Sequence, residues 1–278
     1  MNLAYATELS LEQYQLFESL LTPPNSIGRP RSVNLMPVLQ AIVYVLVAGC
    51  AWRLLPNEYP PYSTVYYYFS KWRNDGSWKR IHDHLVPWVR VTDEHDPSPS
   101  AASLDSQTVP TAVMVHEAVG YDGGKKIKGR KRFTLVDTLG LLIAVRVVAG
   151  SVPEREGAKQ LLNQVHQERR RLPRLVHIWV DGGFSGVDFL HWVMDTFRWI
   201  LEVVLRPEGA QGFVLLPKRW TVERTSGWLH WCRRLNVDYE RLPASSEAFI
   251  HIAMIRLMLR RLAWAFVTFS VFPNILLV

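Results

Sequence analysis

Two cysteines, Cys50 and Cys232, are the only thiols in 278 residues. So few exclude a disulfide framework and a thiolate zinc site, and both read as small, buried or half-buried residues in a reducing compartment. No secretory leader is expected, because the N-terminus carries Glu8 and Glu12 instead of a basic start before an apolar core. Internal repeats and long low-complexity tracts are missing too, which excludes solenoids and arrays. Long uncharged runs are scarce. Leu35 to Trp52 has no charge over 18 positions, but Pro37, Gln40 and Gly49 interrupt it and Arg53 follows at once. That length sits at the lower limit for a membrane span, and the interruptions favour a buried helix ending near Gly49. The uncharged end, Leu262 to Val278, contains Pro273 and Asn274 and reads as a docking or irregular tail. No membrane partner is expected from either stretch.

Acid is in shorter supply than base. Lys and Arg total 32 against 25 Asp and Glu, a net charge of +7 and an isoelectric point near 9.5. Such a balance favours an anionic partner without choosing between nucleic acid and a membrane surface. With 48% hydrophobic residues the chain has ample material for one large domain or two modest ones.

Residues 1–91 read as a small all-helical domain, helix-turn-helix-like in its short helices and its basic and aromatic side chains. Ser10 with Gln13 forms a capping box opening a helix through about Leu21. TPPNSIGRPRS is a loop whose Arg29 and Arg31 are candidate DNA contacts. Helices are expected over Leu35–Ala48, from Ser63 through STVYYYFSKWRND, and over Trp78 to about Val86. Tyr66 and Phe69 at helical spacing fit a core stripe. Thr92–Ala102, TDEHDPSPSAA, is polar and Pro-containing and marks a linker. Beyond it, residues 103–261 alternate short apolar runs with helical patterns: a strand at Ala101–Val109, a hairpin in RFTLVDTLG and LLIAVRVVAG, and a helix at Glu156–Arg170. LVHIWV, WILEVVLR and GFVLLP are further strand candidates, with helices near Val187–Phe197 and Thr221–Leu235. Strands followed by alternating units indicate an α/β fold, a mixed sheet with flanking helices.

Three acids stand out by position. Asp105 in ASLDSQTV and Asp181 in LVHIWVDGGFSG each lie where an apolar run meets polar, turn-forming residues. Glu223, in RWTVERTSGWLHWCRRL, lies one turn into a basic helix. If the two strands are neighbours, both aspartates project from one sheet edge. Hard divalent ions prefer oxygen ligands and keep several waters, so two or three carboxylates suffice to hold them. A pair of such ions aligns a water or hydroxyl with a phosphorus and stabilises the leaving oxygen. Asp137 belongs to a hairpin turn instead. His177, inside an apolar strand, reads as a satisfied core histidine.

The basic residues point to a phosphate backbone. Lys125, Lys126, Lys128, Arg130, Lys131 and Arg132 place six positive charges in eight positions, with no acid between Gly123 and Phe133. A solvated face normally mixes signs, so this run reads as a phosphate-contacting segment. Arg219, Arg224, Arg233 and Arg234 flank Glu223, with Trp220, Trp228 and Trp231 among them, the residue types that stack on unpaired bases.

At these residues the sequence resembles a DDE transposase of the insertion sequence five family, which has a ribonuclease-H-like catalytic domain. The resemblance runs through GCAWRLLPNEYPPYSTVYYYFSKWRNDGSWKRIHDHL, SLDSQTV, GYDGGKKIKGRKRFTLVDTLGLLIAV, VDGGFSG, TVERTSGWLHWCRRLNVDYE and SEAFIHIAMIRLMLRR, most of the chain in collinear order. It implies that Asp105, Asp181 and Glu223 are the catalytic metal ligands. It implies two Mg2+ ions, with Mn2+ as substitute, cleavage of the element's ends, and joining of the exposed 3′-hydroxyl to target DNA. The partners implied are double-stranded DNA with terminal inverted repeats, target DNA, and further copies of the chain in a homodimer or higher multimer. The implied location is the bacterial cytoplasm, at the nucleoid. Related transposases place Tyr, Arg and Lys around the glutamate; Arg219 matches, whereas Leu216 and His230 stand at the Tyr and Lys positions. Residues 262–278 form an apolar tail atypical of the family. The alternatives are a catalytically silent DNA-binding relic and another ribonuclease-H-like nuclease.

Overall fold

Ser10 and Gln13 each accept a hydrogen bond from the other's backbone, at 3.2 and 2.9 Å, and open the first helix of the computed structural model, which describes residues 9–21, 32–205, 216 and 218–271, with side chains through Ala263. That helix, α1 (Leu11–Gln15), is shorter than its capping box predicts. The chain turns at Phe17, which is buried, and a 3-10 turn over Glu18–Leu20 follows. The loop holding Arg29 and Arg31, and the expected strand GFVLLP apart from Leu216, lie outside the described residues.

The chain divides into two compact units. The first comprises residues through His95, with Cys232–Leu235 and Ala248 onward. It contains α2 (Leu35–Ala48), α3 (Tyr62–Asn74), α4 (Ser77–Thr92) and the later part of α8 (Pro243–Val271). Asn34 caps α2, and Gly49 ends it in the left-handed region at φ 72°. Eight residues of α2 are buried, so its apolar run is core, and no helix among the described residues is long and apolar enough to cross a membrane. In α3, Phe69 and Trp72 are fully buried, while Tyr66 and Tyr67 stand in solvent. Phe69 stacks on Phe249 of α8 at 4.7 Å, and Gln13 donates to the Leu259 carbonyl. The later part of α8 therefore packs with the helical unit. The apolar tail is helical through Val271. α4 also runs past Pro87, beyond its expected end at Val86, because Leu85 and Val89 continue its buried stripe.

The second unit, Asp96–Trp231 with Asn236–Glu247, is built on one mixed sheet. Its strands are β1 (Ala101–Pro110), β2 (Gly120–Asp122), β3 (Ile127–Asp137), β4 (Leu142–Ala149), β5 (His177–Val180) and β6 (Ile200–Val203). The path runs β2-β3-β1-β5-β6, and β4 pairs with β3. β3 is antiparallel to β1, β2 and β4, whereas β1, β5 and β6 are parallel neighbours. An antiparallel meander that passes into a parallel crossover is the ribonuclease-H-like arrangement. Asp137 shapes the β3–β4 turn by accepting from the amides of Leu139 and Leu141, and Gly140 sits there at φ 75°.

Side chains alternate across the sheet. Ala102 and Leu104 of β1, Phe133 and Leu135 of β3, and Ile178 and Val180 of β5 meet α5 (Glu154–Gln167) and α6 (Val187–Phe197) in a continuous core. Fully burying a side chain such as Phe133 contributes about 1.5–3 kcal/mol. Gly157 of α5 makes this close packing possible, since a Cβ there would lie 2.1 Å from the Phe133 ring. On the opposite face α7 (Trp220–His230) lies over β1 and β3. Thr225 of α7 donates to the Gly140 carbonyl at 2.7 Å and fastens the helix to the hairpin turn.

Candidate active site

β1 pairs with β5 only over Ala101–Ser103, with Ser103 opposite Trp179. Two residues beyond that last pair come Asp105 on one strand and Asp181 just after the other. The period of two puts both on the face away from the α5–α6 core. Asp105 is therefore not at a strand end as expected. It is the fifth residue of a ten-residue strand, at the point where parallel pairing stops and β1 continues beside β3 alone. Asp181 caps the 3-10 turn Gly182–Phe184 by accepting from the Gly183 amide at 2.9 Å.

Arg219, immediately before α7, reaches both acids. Its Nη2 lies 3.8 Å from Asp105 and 3.6 Å from Asp181. The delivery of this guanidinium is built into the sheet: Ser103 Oγ donates to the Lys218 carbonyl at 2.7 Å, and Lys218 Nζ bonds Glu202 of β6 at 3.0 Å. Glu202 also binds His177 at 2.7 Å and accepts from Trp179 Nε1 at 3.0 Å. The Lys218 bond, then those of His177 and Trp179, outweigh its modest desolvation and lower its pKa. His177 is thus half-exposed and paired on the site face, not a core histidine. Burial raises the Asp105 carboxyl to about 6; the Ser106 amide and Arg219 pull the other way, and Asp181 adds to the rise. A carboxyl raised by burial beside a second acid, in one polar recess, is a recurrent mark of a reactive site.

Glu223 is exposed in the first turn of α7 and makes no hydrogen bond or ion pair among the described residues. No group of three carboxylate, imidazole or thiol side chains there is close enough to hold one metal ion. Arg219 links Asp105 and Asp181, and Glu223 does not join them in a three-ligand group among the described residues. A donor set of two carboxylates that already brackets a cationic group fits one hard divalent ion completed by waters.

The basic run divides sharply. Lys125, Lys126 and Lys128 are exposed, although Lys125 Nζ also reaches the Ser106 carbonyl. Arg130, Lys131 and Arg132 are buried in β3, which corrects their reading as phosphate contacts. Arg130 donates to the carbonyls of Glu117, Glu240 and Arg241 at 2.7 Å and faces Asp238 at 3.3 Å. Lys131 lies 3.4 Å from both Asp122 and Glu154. Burial lowers the Arg132 pKa to about 10, with Asp238 opposing and Arg130 assisting. Arg234 is corrected in the same way: it is buried, donates to the Cys50 carbonyl at 3.0 Å and lies 5.5 Å over the Phe249 ring. Arg233 stays exposed. Arg224 stacks between Trp220 and Trp228, 4.1 and 4.8 Å from their ring centres. His230 meets Gln107, on the same strand face as Asp105, at 3.1 Å. Sequence reasoning passed over Ser103, Gln107, Lys218 and Glu202. The alternation in LVHIWVD was the available signal, since it puts His177, Trp179 and Asp181 on one face.

A ribonuclease-H-like sheet with paired aspartates where its parallel strands part defines a class of acid-site α/β domains. Residues 96–258 match the family described as transposase DDE domain, and residues 9–82 match a putative transposase of the IS4/5 family. A protein of Burkholderia cepacia described as an insertion element IS402 uncharacterized 16.2 kDa protein is 33% identical over 105 residues, covering 35% of this chain and 69% of that protein. A piggyBac transposase, solved as a synaptic complex with hairpin DNA, superposes with a TM-score of 0.36 at 10% identity over 60% of this chain and 48% of that one. The chain thus spans about half the length of that transposase. The chain belongs to the DDE transposases of the IS4/5 type.

Proposed function

We propose that this transposase cuts DNA at the ends of an insertion element and joins the freed 3′-hydroxyl to target DNA. The observation carrying the reading is the pairing of Asp105 and Asp181 at the point where β1 and β5 separate. Asp105, Asp181 and Glu223 are the side chains that would hold magnesium, or manganese in its place, and the full set needs Glu223 to join the two aspartates. Bound there, the metal supplies Lewis-acid stabilisation of the phosphoryl oxygens and a more acidic water or hydroxyl. Lys125, Lys126 and Lys128 contact backbone phosphates from the turn beside the site, Arg219 and Arg224 add donors on the α7 side, and Arg233 adds one from the first unit. The helical unit, residues 1–91 in the sequence, binds the terminal inverted repeats. Bringing two ends together requires at least a dimer on DNA, in the bacterial cytoplasm at the nucleoid.

The test is cleavage and end binding measured side by side. Asp105→Asn and Asp181→Asn lose cleavage of element-end DNA in Mg2+ and retain specific binding. Cutting by either variant at near wild-type rate rejects the acid assignment. A second reading rests on the exposed position of Glu223: a DNA-binding relic that never assembles its third acid. Specific binding by the wild-type chain with no nicking in Mg2+ or Mn2+ selects that reading.

A further inference from the structure

We propose that Arg219 is an internal placeholder cation, which holds the Asp105 and Asp181 carboxylates together in the metal-free protein and gives way when a divalent ion takes its position. This rests on the reading of the two aspartates as a metal site. Two like charges in one recess repel, and a guanidinium between them offsets that repulsion. The contact is loose, however. At 3.6 and 3.8 Å it falls well outside the 2.7–2.9 Å range of a charge-assisted hydrogen bond. Arg219 Nε is buried and has no acceptor among the described residues. The head group is thus held by charge alone, with donors to spare, while its backbone is pegged by the Leu216 carbonyl and by the Ser103–Lys218 bond. A fixed root and a weakly bound head suit a group that swings aside.

Guanidinium stays protonated, so it leaves the recess only by moving, and a small doubly charged ion competes for the same oxygens. Once displaced, its planar fork is free for a phosphate. Metal loading and phosphate contact are then linked, and the linkage is reciprocal.

Mn2+ binding to the full-length chain without DNA, read from free Mn2+ by electron paramagnetic resonance, tests this apart from activity. Arg219→Gln is expected to bind Mn2+ at least about fivefold more tightly than wild type. Its metal-free melting temperature falls, and Mn2+ raises it by more than it raises that of wild type. Arg219→Lys, which keeps a charge but loses the fork, falls between the two and serves if the Gln variant does not fold. Affinity equal to or weaker than wild type in the folded variant overturns the placeholder. If neither wild type nor variant binds Mn2+ more tightly than Asp105→Asn does, the metal-site reading itself fails.

Discussion

Lys125, Lys126 and Lys128 stand in solvent, whereas Arg130, Lys131 and Arg132, a few residues further along the same run, are buried. Charge does not separate the two halves; strand pairing does. Up to Gly129, β3 has short β2 as a partner, with Tyr121 opposite Lys128 and Asp122 opposite Ile127. From Arg130 onward β3 lies between β1 and β4, and both faces are covered. Its cations must then be satisfied from within. Arg130 and Arg132 turn to the face with Asp238, and Lys131 to the face with Glu154 and the Val152 carbonyl. One half of the run is available to a phosphate; in the other half Arg130 fastens the Asn236–Glu247 segment to the sheet and Lys131 ties β3 to Asp122 and Glu154.

The sharpest way to break this comparison is to remove a buried cation. Arg130→Met strands Asp238, which is itself buried and accepts from Ser246 Oγ and the Glu240 amide. Losing one partner of a buried pair costs about 3–5 kcal/mol. Urea unfolding is expected to show a loss of that size. A loss below about 1 kcal/mol removes Arg130 from the structural half. Arg130→Met combined with Asp238→Asn should cost less than the sum of the single changes, because no charge is left unpaired.

Asp122 joins the two halves. It accepts from Thr108 Oγ1, from the amides of Gly124 and Lys125, and lies 3.4 Å from Lys131. Burial opposes its charge, yet the Thr108 bond, the Lys125 amide and Lys131 outweigh it and hold the carboxyl at about 2. A depressed carboxyl contributes stability that is complete above its unfolded value, near ~4, and is lost as pH falls through the folded value. Thermal unfolding should therefore show a decline between about pH 4 and pH 2 that Asp122→Asn removes. An identical acid profile in the variant uncouples the turn from the strand.

These contrasts explain what was legible beforehand. Asp105 and Asp181 were readable because each follows an apolar run whose alternation fixes its face, and a register of Ser103 opposite Trp179 does the rest. Asp137 was readable as a turn acid for the same local reason. Arg130 was not, because its ion-pair partner Asp238 is 108 residues away and nothing near it in the chain distinguishes it from Lys128. The packing of the later part of α8 with the helices of the first unit was not legible for a related cause. Phe249 and Leu259 look like any helical core positions until Phe69 and Gln13 are found against them. Glu223 stood out by position in a basic helix, but a helix position alone does not say whether its carboxylate meets the other two.

The smallest expected change in stability belongs to the exposed half, and it carries the clearest separation of roles. Lys125→Gln, Lys126→Gln and Lys128→Gln together remove three solvent-facing charges, and each substitution should shift unfolding by no more than about 0.5 kcal/mol. DNA binding should respond far more. Each phosphate contact contributes about 0.9 to the slope of log affinity against log salt, so losing three flattens that slope by about 2.7. The slope is the decisive measurement, because a chain weakened by misfolding loses affinity without changing its counterion release. An unchanged slope would return the phosphate contacts to some other surface, and a flattened one with intact stability confirms that one basic run serves two purposes, divided where β4 begins to pair.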